Sequence, residues 1–284
     1  MKVLIITIGP RGDIAPCIAM VKAMRAQGSI EHIAIVGHAS SKRTIESTGA
    51  QFFDIGPEMA EAHRSTPEGR MLDEGTINPA KKRALKRAFM APLVKQYMEG
   101  AQSAVESFRP DFVVLCTEPI FMCTSVIERA GVPYCWFHLT PLVPTDEHAP
   151  PIGFGTGEVW FRWVSRIKWR VAARSRYELL YKDAVNEQRA NWGMPPMLTS
   201  PYDVDERRPI TILGYSPALC RPPSDWNQQK VFVVGSLVDF DSEKTFSPPP
   251  ELSTPLGLAS REAAKPIVIS FGSTLVSVVL LDIH

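Results

Sequence analysis

The sequence predicts an α/β protein, a Rossmann-like doubly wound parallel sheet. Three observations point there. Short runs rich in β-branched and aromatic residues alternate with longer stretches of helical spacing along most of the chain. Several runs, such as VLIITI and FVVLC, are apolar almost throughout, as strands covered on both faces must be. The turns between them are short, which suits strand–helix–strand units and not hairpins.

Each element follows from its residues. Strands are expected at 3–8, 33–36, 52–55, 111–116, 134–138, 210–213, 231–234 and 267–271. Helices are expected at 14–27, 41–47, 79–108, 121–129 and 158–192. The first helix sets Ile14, Ile18 and Val21 on one face and stops at Gly28, a residue that accepts the left-handed conformation after a helix. Residues 239–264 change character: Pro248, Pro249 and Pro250 fit neither a helix interior nor a central strand, so this stretch reads as a semi-stiff linker. The expected division is therefore a domain over 1–238, a linker over 239–264, and at 265–284 the first strand of a second domain, KPIVISFGST, followed by LVSVVLLDIH. The alternative is that this last strand joins the edge of the first sheet.

Composition removes several function classes. Of 284 residues, 45% are hydrophobic and 21% charged, ordinary for a globular protein, and the formal net charge of +1 gives no argument for nucleic acid. The five cysteines, Cys17, Cys116, Cys123, Cys135 and Cys220, form no C-x-x-C pair and mostly lie in apolar runs, which favours reduced, packed thiols. The apolar stretch at 3–8 is too short for a secretory signal, and no window reaches the roughly 18 apolar residues of a membrane span. A cytoplasmic location is expected.

The chemistry is expected at the loop G-P-R-G-D after the first strand, because ligands of open α/β sheets bind beyond the carboxyl ends of the strands. Gly9 and Gly12 permit tight backbone and close approach of a ligand. Asp13 falls at the expected N-cap of the first helix, where a carboxylate accepting a backbone N–H is worth about 1 kcal/mol. The alternative, compatible with capping, is a general base that takes a proton from an acceptor hydroxyl. The helix N-terminus is expected to lower its pKa. The loop is not G-x-G-x-x-G, and the second strand ends at Gly37 and His38 where a dinucleotide reader would carry an acid, so a nicotinamide enzyme is disfavoured. Glu118, just after a strand, either orients an acceptor group or a partner of Asp13, or is a solvated turn acid. His138 and Thr140 end the next strand and could contact the acceptor, His138 alternatively being a packed histidine. In EVWFRWVSRIKWRVAARSRY, Trp160, Trp163 and Trp169 with interleaved cations read either as a helix packed on the domain or as a peripheral membrane contact.

Five stretches, in order, carry a resemblance: TIGPRGDIAPCIAMVKAMRAQG, ESTGAQFFDIGPE, FHLTPLVPTDEHAPP, NEQRANWGMPPM and LGYSPALCRPPSDWNQQKVFVVG. Together they resemble the sterol glucosyltransferases and bacterial glycopeptide glycosyltransferases, UDP-sugar-using GT-B enzymes of glycosyltransferase family one. The resemblance implies the acceptor-binding N-terminal half of a GT-B fold, with Asp13 as catalytic base. It implies that Gly9, Arg11 and Gly12 face the donor's diphosphate and sugar, and that Gly272 and Ser273 of ISFGST line the diphosphate side. It also implies direct displacement with inversion, a UDP-sugar as co-substrate, and neither a cofactor nor a bound metal. A hexose, glucose by family habit, would pass to a sterol or other lipid-like hydroxyl. The family continues well past ISFGST, so the chain as given is expected to be inactive alone. A lipid-binding module, or one subunit of a split transferase, are the alternatives.

Overall fold

A computed structural model describes residues 1–28, 30–73, 77–150, 162–203 and 208–238. Trp160, the Pro-rich stretch 239–264, and the last expected strand with Gly272 and Ser273 lie outside the described residues. A compact unit spans Met1–Leu237.

Seven strands form one sheet: β1 (Lys2–Ile6), β2 (His32–Gly37), β3 (Gln51–Asp54), β4 (Phe112–Cys116), β5 (Tyr134–His138), β6 (Thr211–Leu213) and β7 (Val231–Val233). Their order is β3-β2-β1-β4-β5-β6-β7, and every pair is parallel. The chain builds outward from β1 to β3, then returns to place β4 on the other side of β1, with Ile6 beside Leu115. The sheet is therefore doubly wound, and its switch point lies between β1 and β4.

Eight helices are described: α1 (Arg11–Ala26), α2 (Lys42–Glu46), α3 (Met59–Ser65), α4 (Pro67–Asp73), α5 (Pro79–Phe108), α6 (Ile120–Ala130), α7 (Arg162–Leu180) and α8 (Lys182–Asn191). Val3 and Ile5 bury against one face of the sheet with Ile14, Cys17, Ile18 and Val21 of α1. Leu4 and Ile6 bury on the other with Tyr97, Met98 and Ala101 of α5. That two-sided cover is why the strand VLII is continuously apolar, each such side chain contributing about 1.5–3 kcal/mol. The long α5 has the expected bounds. The Asn78 side chain accepts from Ala80 N at 2.8 Å and Pro79 occupies the first turn, where its missing N–H costs nothing. The helix crosses the loop after β3 so closely that a Cβ on Gly100 would lie 2.9 Å from the Asp54 carbonyl oxygen.

Two differences from the sequence pattern stand out. The single helix expected at 158–192 is two helices that part at Tyr181. There the ring stacks on Phe121 at 4.9 Å between centroids and the hydroxyl donates to Glu118, so tertiary contact interrupts an unbroken helical pattern. The short α3 and α4 were not expected, because seven polar-rich residues show too few turns to declare a period. Four of the cysteines are buried and none is bridged. No helix of the described residues is long and apolar enough to cross a membrane.

Candidate active site

β1 and β4 lie side by side, and the turn after each carries a carboxylate at the switch point, Asp13 after β1 and Glu118 after β4. On the β1 side the turn runs through Gly9 into α1. Gly9 has φ +143, a region that suits glycine, and a Cβ there would meet Asp13 Oδ2 at 2.1 Å. The carboxylate of Asp13 is thus folded back over Gly9. Asp13 is the third residue of α1 and not its cap: Pro10 holds the cap position, makes no side-chain cap bond, and accepts from Asp13 N at 2.9 Å. The capping role expected from spacing is therefore corrected; the helix begins three residues early because Pro10 presets the backbone for entry. Among the described residues, no hydrogen bond or ion pair engages the Asp13 side chain.

The electrostatics also depart from expectation. The Asp13 carboxyl is pushed up to about 6, first by burial and then by the negative charge of Glu118, with His38 opposing. A helix N-terminus favours the carboxylate, but partial burial and a second acid outweigh it. His38 is buried just beyond the end of β2, and its Nδ1–H donates to the Gly56 carbonyl at 2.9 Å.

On the β4 side, Glu118 is held from two directions. Its Oε2 accepts from Arg176 Nη2 at 2.6 Å and its Oε1 accepts from the Tyr181 hydroxyl. It is no solvated turn acid; its side chain is 18% exposed. Burial and the nearby Glu118 carboxylate push Tyr181 well up, so it remains a phenol donor. Glu118 and Thr117 form the polar floor of a cleft of about 640 Å³ whose walls are largely apolar: Phe121, Leu142, Pro144, Trp169, Ala173 and Tyr202.

The remaining expected residues fall out differently. Arg11 and Gly12 are exposed in the first turn of α1, and a Cβ on Gly12 would meet nothing within 4 Å. His138 is fully buried, with Nδ1 3.0 Å from Thr117 Oγ1, and burial followed by the Arg208 charge lowers its pKa to about 3. It stands behind the cleft, bonded to Thr117 and packed on the Tyr202 ring at 5.7 Å between centroids, which favours the packed-histidine reading over direct acceptor contact. Thr140 is exposed beyond β5, and Leu142 stands in the cleft wall instead. Trp169 is 6% exposed and donates from Nε1 to the His148 carbonyl at 3.0 Å. Its expected part in a membrane contact is corrected: it is a cleft wall. Sequence reasoning missed Thr117, Phe121, Arg176, Tyr181 and Tyr202; only their nearness to a strand end or to an interrupted helix distinguishes them.

Two of the quoted stretches prove structural. Asn186 Oδ1 accepts from Met197 N at 2.7 Å, and the buried Arg189 donates to Pro195 O, Ser125 Oγ and Glu128 Oε2. The segment N-x-x-R-x-x-x-G-x-P-P is therefore a clip that fastens α8 to α6. Thr145 Oγ1 donates to Asp225 Oδ1 at 2.6 Å and Trp226 Nε1 to Pro144 O at 3.2 Å, which pins the loop behind the cleft. The sequence holds two Asp-x-Asp pairs, Asp203 with Asp205 and Asp239 with Asp241. Of these only Asp203 is described, and among the described residues no three acids, histidines or cysteines gather as a metal would need.

No family model matches the chain. In structure it is similar to the calicheamicin glycosyltransferase CalG4, with TM-score 0.55 and 15% identity over 83% of this chain and 52% of that one. It is likewise similar to the glycotransferase of kitacinnamycin, with TM-score 0.54 and 12% identity over 88% and 55%. The fold is that of a Rossmann-like half of a GT-B glycosyltransferase. In sequence the chain is similar to sterol 3-beta-glucosyltransferases over almost its whole length. It is 25% identical to such an enzyme of Arabidopsis thaliana over 96% of this chain and 41% of the relative. For one of Cryptococcus neoformans the figures are 26%, 98% and 17%. The glycosyltransferase GtfC of Amycolatopsis orientalis is 27% identical over 69% of this chain and 45% of its own. The chain thus spans less than half the length of each of these curated relatives.

Proposed function

We propose that residues 1–238 form the acceptor-binding half of an inverting, UDP-sugar-dependent glycosyltransferase. In this reading glucose is transferred to the hydroxyl of a sterol or similarly apolar alcohol. The observation that carries the reading is the Asp13 carboxylate at the switch point, pushed up to about 6 by burial and by the charge of Glu118, which itself lines an apolar cleft. The cleft has the volume and lining a compact apolar acceptor requires. The acceptor's alcohol gives its proton to an Asp13 oxygen while its own oxygen forms a bond to the anomeric carbon. The bond from that carbon to the donor diphosphate breaks on the opposite face, and the electron pair leaves with the diphosphate. A carboxyl near 6 is a stronger base than an ordinary aspartate and is still mostly ionised at neutral pH.

The donor is read as UDP-glucose from the likeness to sterol 3-beta-glucosyltransferases. Gly9, Arg11 and Gly12 would face it from this half. The linker 239–264 and the segment 265–284, with Gly272 and Ser273, are proposed to lead into the donor-binding half. The buried, unbridged cysteines support a cytoplasmic setting.

The test couples binding to transfer. Ergosterol should quench the fluorescence of the wall residue Trp169 in the chain alone. Mixed with the donor-binding half of the Arabidopsis relative and UDP-glucose, the chain should yield sterol glucoside by mass spectrometry. No sterol binding would sink the reading; binding without any transfer on mixing would reduce the chain to a binding module.

A further inference from the structure

The inner face of α7 lines the cleft; farther round the helix run two parallel rows, of which the second borders, through Arg166 and Arg170, a small hollow with Pro144, Trp169, Tyr202 and Asp203. Trp163, Ile167 and Val171, four residues apart, are 63%, 50% and 46% exposed. Three positions beyond each stands an arginine: Arg166, Arg170 and Arg174, all exposed. Residues three and four apart are neighbours on a helix surface, so an apolar ridge and a cationic ridge run side by side for three turns. Within α7 the only acid is Glu178, near its C-terminal end. Arg174 pairs with Glu178 with both side chains exposed, a surface pair that a phosphate can replace cheaply, whereas Arg166 is tied to the largely buried Asp146.

We propose that this outer face of α7 is a docking surface for an anionic lipid bilayer. Charge complementarity selects the occupant. An aromatic and two aliphatic side chains beside a row of guanidinium groups match acyl chains beneath phosphate headgroups, and guanidinium takes phosphate in a bidentate fork. A protein partner would have to supply three acids in one row against three pockets in the next. Continuity supports the same choice. Trp169, Ala173 and Leu180 on the inner side of this helix line the cleft, and Lys86 of α5 stands at the same cleft. A helix seated in the headgroup layer would hold that cleft beside the bilayer. The proposal does not depend on sugar transfer.

Sedimentation with phosphatidylcholine vesicles, with and without phosphatidylglycerol, tests it. The chain should bind the mixed vesicles more tightly than the neutral ones, and added salt should weaken that binding. The combined substitution Trp163→Ser, Ile167→Ser and Val171→Ser should lower partition by roughly tenfold or more. Arg170→Glu with Arg174→Glu should reduce binding of the mixed vesicles to the level of neutral ones, and Arg43→Glu on α2 should change nothing. Ile167→Ser alone, with melting temperature checked for each variant, separates lost docking from lost folding. Sterol quenching in solution should survive all of them, so a failed docking surface is distinguishable from a failed cleft. The proposal is overturned if the wild type ignores both vesicles or if the apolar and arginine variants bind like wild type. It is also overturned if light scattering shows a dimer that the triple variant makes monomeric, which would assign the face to a second copy.

Discussion

The turn after β1 and the turn after β4 carry the same chemical group at the same switch point, and treat it in opposite ways. Glu118 is gripped by Arg176 and the Tyr181 hydroxyl, so its charge is matched and its geometry fixed. Asp13 is folded over Gly9 with no partner among the described residues, and burial together with the Glu118 charge pushes it up to about 6. Two like groups in unlike surroundings suit different roles: Glu118 is fixed as part of the cleft floor, and Asp13 is the one the proposed function gives the proton.

The largest effect should come from removing the Asp13 carboxylate. Asp13→Asn is expected to lower turnover by about 10²-fold to 10⁴-fold, the usual range for a positioned base, while ergosterol quenching stays as in the wild type. Equal loss of binding and turnover would make Asp13 a binding residue. Gly9→Ala comes next. Its Cβ would meet the Asp13 carboxylate at 2.1 Å on a backbone of φ +143, so the carboxylate must leave its place. Turnover is expected to fall at least about tenfold, with a stability loss of about 1–3 kcal/mol in thermal melts. If melting shifts but turnover holds, the carboxylate position over Gly9 is not the reacting one.

This division of roles was only half legible in the sequence. The doubly wound sheet was, because continuous apolar strands and a 3.6-residue helical period are local signals. Even the 30-residue α5 was bounded by its own Asn78–Pro79 entry. The switch point was implied once Glu118 and Asp13 were seen to follow different strands. What the sequence could not show was which carboxylate is matched. Arg176 and Tyr181 lie 58 and 63 residues from Glu118, so their contact is made by the packing of α7 and α8. The misplaced helix start has the same origin in reverse: Asp is a good cap by composition, but Pro10 already sets the entry. Trp169 and Trp163 look alike in sequence and part company only when one side of α7 meets the loop at His148.

Glu118→Gln sharpens the contrast from the other side. It removes one of the two causes that raise Asp13, so the acid limb of the pH–rate profile, expected near 6 in the wild type, should move down by under about one pH unit. Arg176 loses its ion-pair partner, and because that guanidinium is 37% exposed, the stability cost should stay near about 1 kcal/mol. A profile that does not move would mean that burial alone sets the Asp13 pKa.

The last expected effect is read in folding and not in turnover. A carboxyl whose folded pKa lies above its ordinary value of 3.8 binds more protons folded than unfolded between 3.8 and about 6. Its contribution is therefore complete below 3.8 and is lost as the pH rises to about 6. The wild type should lose stability relative to Asp13→Asn across that window, and the gap should then stay constant toward pH 8. Urea melts of both proteins at about pH 4, 5, 6 and 7 read the difference directly. A gap that instead closes with rising pH would mean that the helix N-terminus outweighs burial, and Asp13 would then be as well accommodated as Glu118.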